Sequence, residues 1–252
     1  MTTSIKIVAF RAIDYPEMTE NIFYEHTKRL MEYNVTGLTN SDAWLTNPFV
    51  YCLSAIDEDR NKILGAIRIH IADLAYRMPM EYVLRQFNID IQYLIKNLMQ
   101  NTIVGESCGL WCANEPLVKR INLSMKLIIF HIALCTHLDV FHFFAFPPNH
   151  TLNKFYQMGF TKHELFLDYF NYPNQNYQSR VMHIMPSNLE YAESEVRHQI
   201  IAIRENPDYV ERLKFGEESV IIKYQSTLLK PQYLQPLPGK DLTSAFFQTS
   251  LR

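Results

Sequence analysis

The chain has 252 residues, 48% hydrophobic and 20% charged, the make-up of a globular protein with enough apolar mass to bury a core. Lys and Arg number 24 against 26 Asp and Glu, and the formal net charge of -2 supplies no basic face for a phosphate backbone, which argues against a nucleic-acid partner. Seven glycines, none in a G-x-G-x-x-G or G-x-x-x-x-G-K-[ST] arrangement, exclude collagen-like chains and argue against Rossmann and P-loop nucleotide sites.

Met1 to Asp14 alternates apolar and polar residues and has no basic flank followed by an apolar core, so it does not read as a secretory signal. Ser4 to Ala12 is a predicted strand, and Glu17 to Tyr33, behind Pro16, carries Ile22, Phe23, Leu30 and Met31 at helical spacing. Phe49 to Ile56 and Lys62 to Ile71 are β-branched, apolar runs joined by the polar pentamer Asp57 to Asn61, the pattern of a hairpin. Ala72 to Asn101 reads as an insertion over one end of the sheet, with a short helix from Ile89 to Met99 and the position of a lid.

Thr102 to Ala113 is a predicted strand, Leu117 to His137 a strongly apolar helix, and Val140 to Phe146 a strand, the order of a right-handed crossover between parallel neighbours. Leu127 to Phe146 is interrupted by His131, His137, Asp139 and His142, so it splits into a buried helix and a buried strand and does not span a membrane. Asn149 opens a short helix that Gly159 ends, and Phe160 to Leu167 and Ser179 to Met185 are further strands. A boundary near Ser187 divides residues 1–186 from an extension over residues 187–252. Leu189 to Arg204 is amphipathic, Pro207 restarts a second short helix, and Lys230 to Gly239 is turn-rich. The extension is too small to hold its own core and is expected to dock on the main domain or on another subunit.

Cys52, Cys108, Cys112 and Cys135 are too widely spaced for a disulfide framework and read as thiols in a reducing cytoplasm. No metal is expected. The nine histidines form no H-E-x-x-H, His131 and His137 lie six apart on different helix faces, and Cys108 and Cys112 are separated by about 13 Å along a strand. No G-x-S-x-G elbow supports a serine hydrolase. The run Phe141 to Phe146 reads as plain core in preference to an acyl tunnel. Glu106 stands in a central strand between Val104 and Cys108, where a carboxylate is costly to bury unless it is paired or used. It is a general-base candidate, or a glutamate that reaches solvent or pairs with Arg68. Arg68, in an otherwise apolar strand, holds a substrate carboxylate or partners Glu106.

Several motifs carry a resemblance over roughly Ile5 to Met185. Gly65-Ala66-Ile67-Arg68-Ile69 is similar to the G-x-x-R-L of acyl-homoserine lactone synthases and N-acyl amino acid synthases. Glu106 to Cys112 resembles their E-x-x-R-[FL]-x-V strand, with Gly109 in the place of the arginine, and Arg29 and Asp42 echo an arginine and an aspartate of their amino-terminal half. Asn149 to Phe160 resembles the N-x-x-A-x-x-F-Y-x-x-x-G-F close of GNAT enzymes. The resemblance implies an α+β fold, a mixed GNAT-like sheet in an α/β/α sandwich with a carboxy-terminal helical extension. It also implies transfer of an acyl group from acyl-CoA or acyl-phosphopantetheine to the amine of a small molecule, with no permanently bound cofactor and with an acyl carrier protein as a donor partner.

In such a fold the strand Glu106 to Cys112 splays from Val140 to Phe146, and Leu110, Trp111 and Cys112 are the edge that pairs with pantetheine amides. The phosphate-binding [QR]-x-x-G-x-[GA] falls on Lys119 to Ser124, so Lys119, Arg120, Asn122 and Ser124 are the implied phosphate contacts. Lys119 and Arg120 suit a phosphopantetheine phosphate or an acidic carrier surface, or are a solvated basic helix start. Asn149 belongs to the same donor-binding set. Phe155 stands four residues before Gly159, where acetyltransferases often have the tyrosine that protonates the leaving thiolate. Tyr156, one place on, is the candidate general acid. The competing expectation is a non-catalytic module that keeps the fold and binds acyl thioesters, suggested by the altered glycine motif, Gly109 and Phe155.

Overall fold

The computed structural model describes residues 2–35, 41–166, 168–206 and 208–228. β1 (Thr2–Arg11) sends Ile5, Ile7 and Ala9 to one face of a sheet and Phe10 to the other, and α1 (Pro16–Glu32) begins on a proline whose missing N–H costs nothing in the first turn. β2 (Val50–Asp57) and β3 (Lys62–Ile71) form the expected antiparallel hairpin. Its turn is held by Asp57, whose Oδ1 accepts the N–H groups of Asp59 and Arg60 at 3.0 Å each, and by Asn61 in the left-handed region at φ 48°. The insertion holds α2 (Pro79–Arg85) and α3 (Gln92–Met99).

β4 (Ile103–Cys112) follows, then α4 (Pro116–Arg120), α5 (Leu123–His137) and β5 (Val140–Ala145). The single long helix expected from Leu117 to His137 is thus two, broken at Asn122, which adopts φ 51° and ψ 51°. α6 (Asn149–Gln157) ends at Gly159 with φ 91°, as the sequence pattern requires. Beyond it the strands are shorter than expected. They are β6 (Thr161–Lys162), β7 (Phe170–Asn171), β8 (Gln178–Ser179) and β9 (Met182–Ile184); Leu167, the expected end of the first of them, lies outside the described residues.

The extension differs from its reading. α7 (Ser194–Glu205) is the amphipathic helix, but the next described residues are not helical: β10 (Val210–Phe215) and β11 (Glu218–Ser226) form a hairpin about Gly216 at φ 65°. β11 pairs parallel to β1 and so lengthens the main sheet. The stretch Lys230 to Gly239 and Pro207 lie outside the described residues. The physical reason for the strand is side-chain alternation, Val220, Ile222 and Tyr224 entering the core while Ser219 and Lys223 do not. Tyr224 is fully buried, and its hydroxyl donates to Glu211 Oε2 at 3.0 Å, while Lys126 Nζ on α5 donates to the other oxygen of that carboxylate at 2.5 Å. Tyr224→Phe is expected to cost about 1–2 kcal/mol in chemical denaturation without altering the sheet, because it removes a buried hydrogen bond to a charged acceptor.

The main sheet has nine strands in the order β10-β11-β1-β2-β3-β4-β5-β9-β6, with parallel pairs only at β1–β11 and β4–β5 among the described strands. α5 and α7 cover one face, burying Leu127, Ile128, Ile132 and Ile200 against Ile7, Leu53 and Ile67. α1 covers part of the other face with Ile22, beside Trp44 and Trp111; α2 and α3 cover the rest with Met80, Leu84 and Ile95. This is the α/β/α sandwich expected, with one consequence for chemistry: the α1–α2 face is where the sheet's polar residues lie.

Candidate active site

β4 pairs with β5 from Ile103↔Val140 to Ser107↔Ala145 and no further, although β4 runs on to Cys112. The two parallel strands therefore part after Ser107. Cys108, Trp111 and Cys112 stay paired to β3, and among the described residues the stretch 108–112 has no partner strand on the β5 side. A cavity of about 910 Å³ opens there, lined by Ser107 to Cys112, by Phe146 to Pro148 beyond the end of β5, and by Phe155. The expected edge residues Leu110, Trp111 and Cys112 all line it.

The divergence has a local cause. Opposite Ala66 to Arg68 on β3, the register of β4 slips between Trp111 and Cys108, so one extra residue is accommodated in a bulge. Gly109 sits in it with φ 65°, a region most side chains avoid, and a Cβ there would lie 2.7 Å from Arg68 Nε and 2.8 Å from Nη2. The glycine that replaces the arginine of the resembled motif is therefore the floor under the Arg68 side chain.

Successive strands bring four polar or ionisable groups to the cavity side of the sheet. In register, Arg68 faces Cys108 and His70 faces Glu106 across the β3–β4 pair, with all four lining the cavity. The Arg68 guanidinium stacks 4.1 Å from the ring centre of Trp44, and its Nε and Nη1 are buried without a hydrogen-bond partner among the described residues. Glu106 is 2% exposed, and its Oε2 accepts the Met80 N–H at 2.9 Å from the first turn of α2. Burial pushes its carboxyl up to about 8; Glu81 adds to the rise, while the Met80 N–H and Arg68 oppose it. The described residues show no Arg68–Glu106 ion pair, so the pairing alternative for these two residues is not what the geometry displays.

Burial lowers the His26 imidazole to about 3, with Arg68 adding to it, and lifts the Cys108 and Cys112 thiols to about 12, so the histidine is neutral and neither thiol is a ready nucleophile. Among the described residues no group of three or more His, Cys, Asp or Glu side chains is arranged to hold a metal ion, and no helix is long and apolar enough to cross a membrane.

The other expected residues are elsewhere. Tyr156 is 37% exposed on α6 and does not line the cavity; Phe155 does, because the helix turns the neighbouring position inward. This placement speaks against a general-acid role for Tyr156, and Tyr156→Phe is expected to leave kcat within twofold in a turnover assay. Lys119, Arg120, Asn122, Ser124 and Asn149 also lie outside the cavity lining. Arg120 is held by Glu218 at 2.5 Å and lies 4.8 Å from the Phe215 ring centre, Ser124 Oγ accepts from Lys154, and Asn149 Nδ2 donates to Gln178 Oε1 at 3.2 Å and does not cap its helix. Asn122 keeps one feature of the motif: its left-handed backbone is the conformation a glycine would supply, and Asn tolerates it well. Sequence reasoning missed Trp44, His26, His70 and Met80. Pro79 at the start of α2 with Glu81 at its third position was a legible helix start, and the side chain of Glu81 accepts the Met78 N–H at 2.9 Å. The contact of Met80 with Glu106 had no sequence signal.

No family model matches the chain, and no curated protein matches it. Solved structures do. The N-acyl amino acid synthase FeeM from uncultured soil microbes is 9% identical, with a TM-score of 0.59 over 77% of this chain and 98% of its own. The CoA-dependent acyl-homoserine lactone synthase BjaI, solved with SAM and isopentyl-CoA, is 12% identical, with a TM-score of 0.51 over 81% and 90%. The same enzyme with MTA gives 0.50 at 12% identity over 80% and 90%. At such identities the likeness speaks for architecture, and with the splayed β4 and β5 it shows that the chain has the α+β GNAT fold, in the form shared by these synthases.

Proposed function

We propose that the chain is an N-acyltransferase that moves an acyl group from a pantetheine thioester, carried on coenzyme A or on an acyl carrier protein, to the amine of a small molecule bearing a carboxylate. The observation that carries this reading is the parting of β4 from β5 after Ser107, with Glu106 buried at the point of divergence. The free edge of residues 108–112 offers backbone N–H and C=O groups to the two amides of pantetheine, as an added strand would. Arg68, with two buried donors unpaired, takes the acceptor's carboxylate. FeeM, by its name, makes N-acyl amino acids, in keeping with a carboxylated amine as acceptor.

The steps balance as follows. An amine reaches the site as an ammonium and gives one proton to the ionised Glu106 carboxylate, directly or through water. The free amine attacks the thioester carbon, forming the N–C bond and moving the carbonyl electron pair to oxygen. Collapse of this intermediate breaks the C–S bond, the second amine proton passes to the departing sulfur, and Glu106 returns its proton to solvent. A thiol with a pKa near 8.5 is a good enough leaving group that the absence of Tyr156 from the cavity is no obstacle. Four unpaired cysteines fit action in a reducing cytoplasm.

Thioester consumption with short and long acyl donors on both carriers, against a panel of amino acids and amines without a carboxylate, tests the reading. Turnover restricted to carboxylated amines is expected. No turnover with any pair contradicts it. A second reading, a thioester-binding module without chemistry, is favoured by the position of Lys119, Arg120 and Ser124 outside the cavity and by the commitment of Arg120 to Glu218. Donor binding by calorimetry with no turnover would select it.

A further inference from the structure

His70 is absorbed by nothing described so far. It is the last residue but one of β3, 3% exposed, on a strand whose neighbours Ile67, Ile69 and Ile71 are core. Both of its ring nitrogens are buried with no hydrogen-bond partner among the described residues. A neutral imidazole carries one N–H donor and one acceptor, and leaving either unsatisfied in a buried site is costly, so a position filled for packing alone would favour an apolar residue. The ring lines the cavity. A group held in the cavity is placed to satisfy it.

Its place in the sheet narrows the role. His70 is the direct cross-strand neighbour of Glu106, which puts the two side chains about 5 Å apart at Cβ on one face. The nitrogen that gives its proton to Glu106 becomes bonded to the thioester carbon, and the oxygen on that carbon lies one further bond away. A donor standing beside Glu106 can thus reach the oxygen on which charge develops. Resting on the acyltransferase reading above, we propose that His70 is a catalytic residue whose neutral ring N–H donates to the oxyanion of the tetrahedral intermediate.

Neutrality is what the position enforces. Burial, and then the charge of Arg68, hold the imidazole well below its ordinary range. An imidazolium beside Glu106 would pair with the carboxylate and weaken it as a base; a neutral N–H stabilises the oxyanion and leaves Glu106 able to take the proton. No proton is transferred from His70: it offers a hydrogen bond that strengthens as the carbonyl electron pair moves to oxygen and relaxes when the C–S bond breaks.

The test is steady-state kinetics of wild type, His70→Phe and His70→Gln across pH. His70→Phe keeps the ring volume and removes the donor; it is expected to lower kcat by about 10²–10³-fold with both KM values within threefold and the midpoint of the alkaline rise unmoved. His70→Gln restores an N–H and is expected to recover at least tenfold of that loss. If kcat of His70→Phe stays within threefold of wild type, or if its loss is only a shifted midpoint that disappears at high pH, His70 merely shapes the surroundings of Glu106 and the proposal is overturned. Should His70→Phe fail to give a native melting transition, His70→Gln alone decides: a tenfold to thirtyfold loss in kcat at unchanged KM supports the role and an unchanged kcat overturns it. Wild type without turnover would bring down the acyltransferase reading itself, a result distinct from wild-type turnover that is indifferent to position 70.

Discussion

Glu106→Gln is expected to lower kcat by about 10²–10⁴-fold while donor affinity, measured by calorimetry, changes less than threefold. Gln preserves volume and can still accept the Met80 N–H through its amide oxygen, but it cannot take a proton. The pH dependence is the sharper signature. With the carboxyl at about 8, wild-type activity rises through pH 8 as the carboxylate forms, whereas residual activity of the variant lacks that limb. Stability moves the other way. The folded pKa lies above the ordinary 4.5, so folding favours the protonated acid; that contribution is complete below about pH 4.5 and is lost as pH rises through about 8. Relative to Glu106→Gln, wild type should therefore lose a few kcal/mol between these limits. Equal losses of activity at all pH values, with the stability difference still changing with pH, would show that Glu106 is a buried structural acid.

Gly109→Ala is expected to raise the acceptor KM by about tenfold to a hundredfold and to cost about 1–2 kcal/mol of stability. The stability cost comes from the left-handed backbone at φ 65°, which an L side chain adopts at a penalty. The kinetic cost comes from the methyl, which would stand 2.7 Å from Arg68 Nε and force the guanidinium off its place under Trp44. Because that guanidinium is the end of a flexible side chain, it moves and the strand survives. The donor KM should then stay near wild type, and an equal rise in both KM values would mean that the bulge itself had collapsed.

How far the sequence reached follows from which contacts are local. The hairpin of β2 and β3 was legible because its polar turn and β-branched flanks lie within some twenty residues, and the β4–α5–β5 crossover because apolar strand and helix runs alternate. Glu106, Arg68 and the edge Leu110 to Cys112 were legible as charged or motif-bearing positions in strands. His70 was not, since its importance comes from facing Glu106 across a register that a bulge at Gly109 determines, and no single-chain pattern reports register. The hairpin of β10 and β11 stands where a short helix after Pro207 was expected, although Leu213 and Phe215 before Gly216, and Val220, Ile222 and Tyr224 after it, alternate as strands do. Tyr156 and Phe155 differ by one residue, which on a helix is a rotation of about 100° and here the difference between solvent and cavity, a facing that the sequence pattern alone does not fix.

A crystal structure with a non-hydrolysable acyl-CoA thioether tests the open edge of β4 most directly. The pantetheine amides are expected to hydrogen-bond the backbone of residues 108–112, with the sulfur beside Glu106 and the arm passing Phe146 and Pro147. Strands joined side by side through Cys112, or an analogue bound away from this cleft, would contradict it.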